Sequence, residues 1–175
     1  MKRISLALRK KAAKIRLLLL DVDGVLTDGA IIIDDRGEES KQFHVRDGQG
    51  ISLLMRSGVD VGFVTGRRSN VVRHRATDLG VALVCQGVAD KLACYEQIKR
   101  EHNLKDNQIA YVGDDVIDLP VLRRVGLAVS VADGWSELSS IVDYITEERG
   151  GRGAVREVAE LLLRAQKKWR KLTSL

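Results

Sequence analysis

Short apolar runs alternate with longer stretches of helical period along most of this chain. The runs Arg16–Asp21, Val59–Thr65, Val81–Cys85, Gln108–Gly113, Leu127–Val131 and Val142–Ile145 are brief, rich in Leu or β-branched residues, and followed by polar or glycine residues. Buried parallel strands have this look, because helices cover both faces of the sheet. Between the runs, Ser69–Leu79 follows the turn Gly66-Arg67-Arg68, and Asp90–His102 sets Leu92, Tyr95 and Ile98 near helical spacing. At the end, Val155, Val158, Ala159 and Leu162 mark one apolar face of a long helix. Strand and helix in alternation predict βαβ units, hence an α/β fold with a doubly wound, mostly parallel sheet.

One segment breaks the alternation. Ala30–Asp34 and Glu39–His44, around Asp35-Arg36-Gly37-Glu38, read as a β-hairpin with a glycine-containing turn. It comes straight after the first strand, near the edge where open α/β sheets bind ligands. There it serves either as an accessory to that edge or as a contact surface for another subunit. With no repeats, no low-complexity tract and a single proline, the 175 residues read as one domain spanning 1–175. The hairpin (30–44) and a C-terminal tail and helix (150–175) are its appendages.

Composition narrows the function classes. Aromatic residues make up 4% of the chain, too few for a base-stacking surface. The apolar run Leu17–Leu20 is far shorter than the ~20 residues of a membrane span. A basic N-terminus ahead of it superficially resembles a secretory signal, but the run ends at Asp21-Val22-Asp23 with no small-residue cleavage site, so a cytoplasmic protein is expected. Cys85 and Cys94 lack metal or CxxC spacing and read as small apolar residues in a reducing compartment. The net charge of +5 belongs to the ends. Residues 1–16 carry seven Lys/Arg and residues 164–175 five, with no acid in either, which leaves the body at −7. These tails read as solvated helical ends or subunit contacts, and neither a nucleic-acid nor a membrane partner is expected.

Four features fall just past the ends of expected strands: Asp21-Val22-Asp23-Gly24-Val25-Leu26-Thr27, Thr65-Gly66-Arg67, Lys91 at a helix start, and Gly113-Asp114-Asp115-Val116-Ile117-Asp118. Singly, each has an ordinary structural explanation: acids near a helix start cap it, and a lone lysine is usually on the surface. In parallel strands of one sheet they converge on one edge, and phosphoryl transfer explains the set. Asp21 would be the nucleophile, attacking phosphorus to form a covalent intermediate. Asp23 would protonate the departing alkoxide and then take a proton from water. The Asp21 carboxylate, the Asp23 backbone carbonyl and the Asp114 carboxylate suit Mg²⁺. Thr65 and Lys91 would hold the phosphoryl group, and Asp115 and Asp118 would orient Lys91 and metal-bound water. His44, His74 and His102 share no zinc-ligand spacing.

These stretches resemble the four motifs of the haloacid dehalogenase superfamily: DVDGVLT, the Thr of VTGR, Lys91, and GDDVID. With FHVRDGQGI, YVGDDVIDLPVL and GGRGAVREV added, the resemblance extends over nearly the whole chain to a small, capless family, the 3-deoxy-D-manno-octulosonate 8-phosphate phosphatases of lipopolysaccharide precursor synthesis. It implies a Mg²⁺-dependent phosphatase of a sugar-acid phosphate, with Asp21, Asp23 and Asp114 at the metal. Asp23, His44, Val45, Arg46, Asp47, Gly48, Arg67, Arg75 and Lys91 would contact substrate. It further implies a homotetramer with hairpins in a central barrel and a neighbour's C-terminal segment over the site, Arg152 being the residue to reach across. Ser52 departs from a basic position found in some relatives, while Thr65-Gly66-Arg67 sides with the octulosonate enzymes over phosphatases of nine-carbon sugar acids. Two other readings compete. A phospho-accepting receiver domain has the opposite order of acid pair and phosphorylated Asp, and a binding protein would rely on the basic tails.

Overall fold

The computed structural model describes residues 4–173. The outermost part of the basic N-terminus, including Lys2 and Arg3, and the last two residues lie outside that range. Six strands form one parallel sheet in the order β5-β4-β1-β6-β7-β8. In chain order these are β1 (Leu17–Leu20), β4 (Asp60–Thr65), β5 (Leu83–Gln86), β6 (Ile109–Gly113), β7 (Leu127–Ser130) and β8 (Tyr144–Ile145). The separate hairpin pairs β2 (Ile32–Ile33) with β3 (Glu39–Ser40). Helices are α1 (Leu6–Ala12), α2 (Val45–Arg56), α3 (Asn70–Leu79), α4 (Lys91–Glu101), α5 (Leu119–Leu122), α6 (Ala154–Ala165) and α7 (Trp169–Thr173). The doubly wound α/β architecture is the one expected.

Strand β1 shows why the sheet needs two covers. Its four leucines are fully buried, and alternation sends Leu18 and Leu20 into one core and Leu17 and Leu19 into another. The first core is closed by α1, α2, α3, α6 and α7 through Leu8, Ile51, Val72, Val158 and Trp169. The second is closed by α4 and α5 through Tyr95, Ile98 and Val121. β1 lies between β4 and β6, with Leu20 level with Phe63 on one side and Val112 on the other. The ends of β1, β4 and β6, which carry three of the motifs, therefore lie side by side.

Several elements differ from expectation. The hairpin ladder is shorter than 30–34 with 39–44, because the Asp34 carboxylate takes the N–H groups of Arg36 and Glu38 and starts the turn early. Position 37 has φ +80°, which suits glycine. His44 is not in a strand: it N-caps α2, a helix the periodicity did not announce. Two glycines inside that helix, at about 1 kcal/mol each against alanine, mask its helical character. In return they admit neighbours. A Cβ on Gly50 would stand 3.0 Å from Arg156 Cα, so that glycine lets α6 pack close. Helix α1 lies in the N-terminal tail, for which a helical end is one of two readings, and β5 begins two residues later than expected.

Candidate active site

The chain leaves β1 at Asp21, whose N–H continues the ladder to Val112 O at 3.0 Å. Its carboxylate is fixed on both oxygens. Oδ1 accepts the Val22 N–H at 2.7 Å, and Oδ2 accepts Lys91 Nζ at 2.6 Å. Lys91 is placed by the start of α4, where the Asp90 side chain caps the helix by accepting from Ala93 N–H. A second Lys91 proton goes to Asp118 Oδ1 at 2.7 Å. Asp118 is completely buried. Its Oδ1 also accepts Tyr111 O–H at 2.6 Å, and its Oδ2 accepts the N–H groups of Asp114 and Asp115 at 3.0 and 3.3 Å. Asp115 turns the other way and accepts from Val116 N–H.

Asp21, Asp114 and Asp118 each bring a carboxylate oxygen within 4.8 Å of the other two. Asp114 reaches this cluster across Gly24, where a Cβ would lie 2.0 Å from Asp114 Oδ2 and where φ is +88°. Burial raises the Asp21 pKa to about 6, with the Asp118 charge adding to the effect and Lys91 opposing it. Burial, then Asp21 and Asp118, raise Asp114 to about 7. Burial lowers the Lys91 pKa, but the Asp21 and Asp118 charges outweigh it and the net shift is upward. One lysine against three acids leaves negative charge that a divalent cation would complement. Asp118 already accepts four donors, the capacity of a carboxylate. Asp21 and Asp114 are therefore the carboxylates a cation can use, and a centre with few protein oxygens fits Mg²⁺.

The Asp23 carboxylate faces elsewhere. Its Oδ1 accepts from Lys41 Nζ, and its Oδ2 lies 3.9 Å from Arg67 Nε. Thr65, buried at the end of β4, accepts Arg67 N–H on Oγ1 at 3.2 Å, which leaves its O–H to donate to another acceptor.

The residues that the resemblance assigns to substrate have partners within the chain. His44 Nδ1 accepts Arg46 N–H at 3.3 Å at the head of α2, and Val45 is 78% exposed. Asp47 is 1% exposed, and its carboxylate takes Gly153 N–H at 3.2 Å and Arg156 N–H at 2.7 Å. Its side chain thus satisfies the first turn of α6. Gly48 lies under the Arg75 guanidinium, 2.4 Å from where a Cβ would be. Arg75 also covers the Phe43 ring at 5.6 Å and pairs with Asp78 at 2.7 Å. Arg67 instead holds Glu39 at 3.0 Å. Both arginines thus engage carboxylates of their own chain. A cleft of about 350 Å³ lies beside Arg46, Arg152 and Arg156, and none of the three clustered carboxylates lines it.

The glycine-rich C-terminal segment is seated against its own chain. Gly151 N–H donates to Val25 O at 2.9 Å, and Gly150 N–H to Asp133 Oδ1 at 2.9 Å. A Cβ on Gly150 would come within 1.8 Å of Gly24 O. Arg152, expected to reach a neighbouring subunit, pairs with Asp28 of the same chain at 3.3 Å. This brace under the Asp21–Asp28 loop and the Lys41 contact are the features the motifs did not reveal. Lys41 sits in no spacing pattern, and glycine pairs commonly mark only turns.

A family model for haloacid dehalogenase-like hydrolases matches residues 81–157. The 3-deoxy-D-manno-octulosonate 8-phosphate phosphatase of Yersinia pestis is 48% identical over 166 residues, covering 95% of this chain and 89% of that protein. Its crystal structure superposes with a TM-score of 0.93 at 47% identity, covering 94% of this chain and 89% of that one. The structure of the Moraxella catarrhalis phosphatase in complex with magnesium, phosphate and KDO gives a TM-score of 0.93 at 40% identity, over 95% and 96% of the two chains. The chain belongs to the 3-deoxy-D-manno-octulosonate 8-phosphate phosphatase family of the haloacid dehalogenase-like hydrolases.

Proposed function

We infer that this protein is a Mg²⁺-dependent phosphatase that hydrolyses 3-deoxy-D-manno-octulosonate 8-phosphate to the free sugar acid and phosphate. The observation that carries the chemistry is the buried Asp21 carboxylate, held by Lys91 at 2.6 Å within a cluster of three acids that this one lysine leaves net negative. The octulosonate substrate is supported by near-half identity to the Yersinia pestis enzyme along almost the whole chain and by the sugar acid bound in the Moraxella catarrhalis structure.

The Asp21 and Asp114 carboxylates and the Asp23 backbone carbonyl would hold Mg²⁺, which supplies charge neutralisation to the phosphoryl oxygens. An Asp21 oxygen attacks phosphorus while the P–O bond to the sugar breaks, giving an aspartyl phosphate. Lys91 and Val22 N–H fix the rotation of that carboxylate. Thr65 O–H and Lys91 donate to the equatorial oxygens. Asp23 passes a proton to the departing sugar oxygen. It then receives one from the water that attacks the aspartyl phosphate, which regenerates Asp21 and releases phosphate. Asp118 acts on the reaction indirectly, by holding Lys91 and the Asp114 and Asp115 backbone, and Tyr111 holds Asp118. Arg67, Arg75, Arg46 and the His44–Gly48 backbone would meet the sugar acid once the arginines exchange their internal partners for it.

The assembly belongs to the same proposal. Ile31, Ile32 and Ile33 are 57%, 51% and 57% exposed on the hairpin, an apolar stripe suited to burial between subunits. This supports a homotetramer joined through hairpins. A covering C-terminal segment from a neighbour would then involve residues other than the braced Gly150–Gly153. No helix among the described residues is long and apolar enough to cross a membrane. The free thiols of Cys85 and Cys94 suit the cytoplasm.

Phosphate release from a panel of sugar-acid phosphates with Mg²⁺, comparing wild type with Asp21→Asn, tests the reading. Preferential turnover of the octulosonate ester by wild type alone is expected, and equal rates for the two proteins would reject the mechanism.

A further inference from the structure

Asp23 makes both proton transfers of the proposed reaction, yet the contacts of its carboxylate come from outside its own loop. The closer one comes from the hairpin. Lys41, the residue after β3, donates from Nζ to Asp23 Oδ1, and its side chain is only 1% exposed. The same Nζ lies 3.2 Å from Glu39 Oε1. Arg67, arriving from the turn after β4, grips that Glu39 oxygen at 3.0 Å and stands 3.9 Å from Asp23 Oδ2. Asp23, Lys41, Glu39 and Arg67 thus form a closed ring of alternating charge drawn from three segments of the chain.

Anchoring the hairpin does not account for this arrangement. A lysine so deeply buried needs a carboxylate partner, and Glu39 of the same hairpin already supplies one. Lys41 nevertheless approaches Asp23 more closely than Glu39. The contact fixes the orientation of a side chain that is 22% exposed and whose other charged neighbour, Arg67, stands off at 3.9 Å. Proton transfer in both half-reactions requires the Asp23 carboxylate within hydrogen-bond reach of the ester oxygen and later of the water.

We propose that Lys41 is a positioning residue for the acid–base steps, holding the Asp23 carboxylate in its working orientation, and that Glu39 holds Lys41 in turn. The proposal rests on the assignment of Asp23 as acid and base. It makes the hairpin part of the active site of its own subunit, in addition to any part in assembly.

A double-mutant cycle separates the two ideas. With the octulosonate phosphate, Lys41→Met should lower kcat about 10- to 100-fold, less than the roughly 10²- to 10⁴-fold that a general acid–base contributes because the carboxylate itself remains, with KM within about twofold. Lys41→Arg, which keeps the charge and the donors, should recover most of that loss. In an Asp23→Asn background, Lys41→Met should change kcat by less than about twofold, because the group it positions is gone. If Lys41→Met does not fold, Glu39→Gln runs the same cycle, with a smaller loss that also vanishes beside Asp23→Asn. A loss of the same size in both backgrounds, or a rise in KM alone, overturns the role of Lys41 and leaves that of Asp23 intact. Wild-type turnover by Asp23→Asn itself would instead remove the assignment on which the proposal rests.

Discussion

Lys91 Nζ lies 2.6 Å from Asp21 Oδ2, and both side chains are almost completely buried. Neither group could be left alone there, since an unpaired buried charge costs several kcal/mol. The pair exists because α4 starts, with its Asp90 cap, opposite the end of β1. Replacing Lys91 with Met should lower kcat about 10²- to 10³-fold, as does removal of one fixed donor at a developing anion. It should also destabilise the metal-free protein by about 3 kcal/mol, because Asp21 and Asp118 would face each other unpaired. Steady-state kinetics and urea unfolding of Lys91→Met check both effects.

Metal and pH should act together on stability. The pKa of Asp21 stands at about 6 and that of Asp114 at about 7, against 3.8 for an ordinary aspartate. Both acids bind protons more tightly folded than unfolded, so folding takes up protons between about pH 4 and pH 7. Metal-free stability therefore falls as pH rises through that window and levels off above it. A cation at the two carboxylates displaces those protons. At a hundred times its Kd, Mg²⁺ contributes about 2.7 kcal/mol, roughly 5–10 °C in Tm for a chain of this size. The shift should be largest near pH 8 and smallest near pH 5. Thermal melts with Mg²⁺ and with EDTA at both pH values measure it, and equal shifts would contradict the placement of the cation.

Gly24 is the point where the two acidic motifs touch, 2.0 Å from Asp114 Oδ2 by a virtual Cβ and with φ at +88°. Gly24→Ala adds a methyl group that only a shift of Asp114 can accommodate, with about 1–2 kcal/mol of backbone strain besides. Mg²⁺ affinity should fall at least about tenfold, in line with disturbance of a ligand's support, as read by titration calorimetry. An unchanged affinity would mean that Asp114 is not a ligand.

Much of this geometry could be read along the chain. The acids at 21 and 114, Thr65 and Lys91 each follow an apolar run, and a parallel sheet must bring such positions to one edge. What escaped reading depends on contacts between distant segments. Gly48 and Gly50 look like loop residues, yet they lie inside α2 because Arg75 and α6 need the space. Asp47 sits in a stretch that resembles a ligand loop, while its carboxylate serves the N–H groups of Gly153 and Arg156, over a hundred residues away. Lys41 finds Asp23 through a hairpin turn whose direction no local pattern encodes.

Asp47 offers a direct check on that distinction. Asp47→Asn keeps one acceptor but turns an amide toward the second N–H, a loss of about 1–2 kcal/mol and roughly 3–6 °C in Tm. KM for the sugar-acid phosphate should stay within about twofold. A large rise in KM with an unchanged melting temperature would instead place Asp47 on the substrate.

The atom that receives the phosphoryl group decides the mechanism. Rapid-quench labelling with ³²P-substrate and Mg²⁺, followed by peptide mapping of the acid-quenched protein, should find the label on Asp21 at times shorter than one turnover, and none in Asp21→Asn. Label on another residue, or turnover with none on the protein at any time, would contradict it.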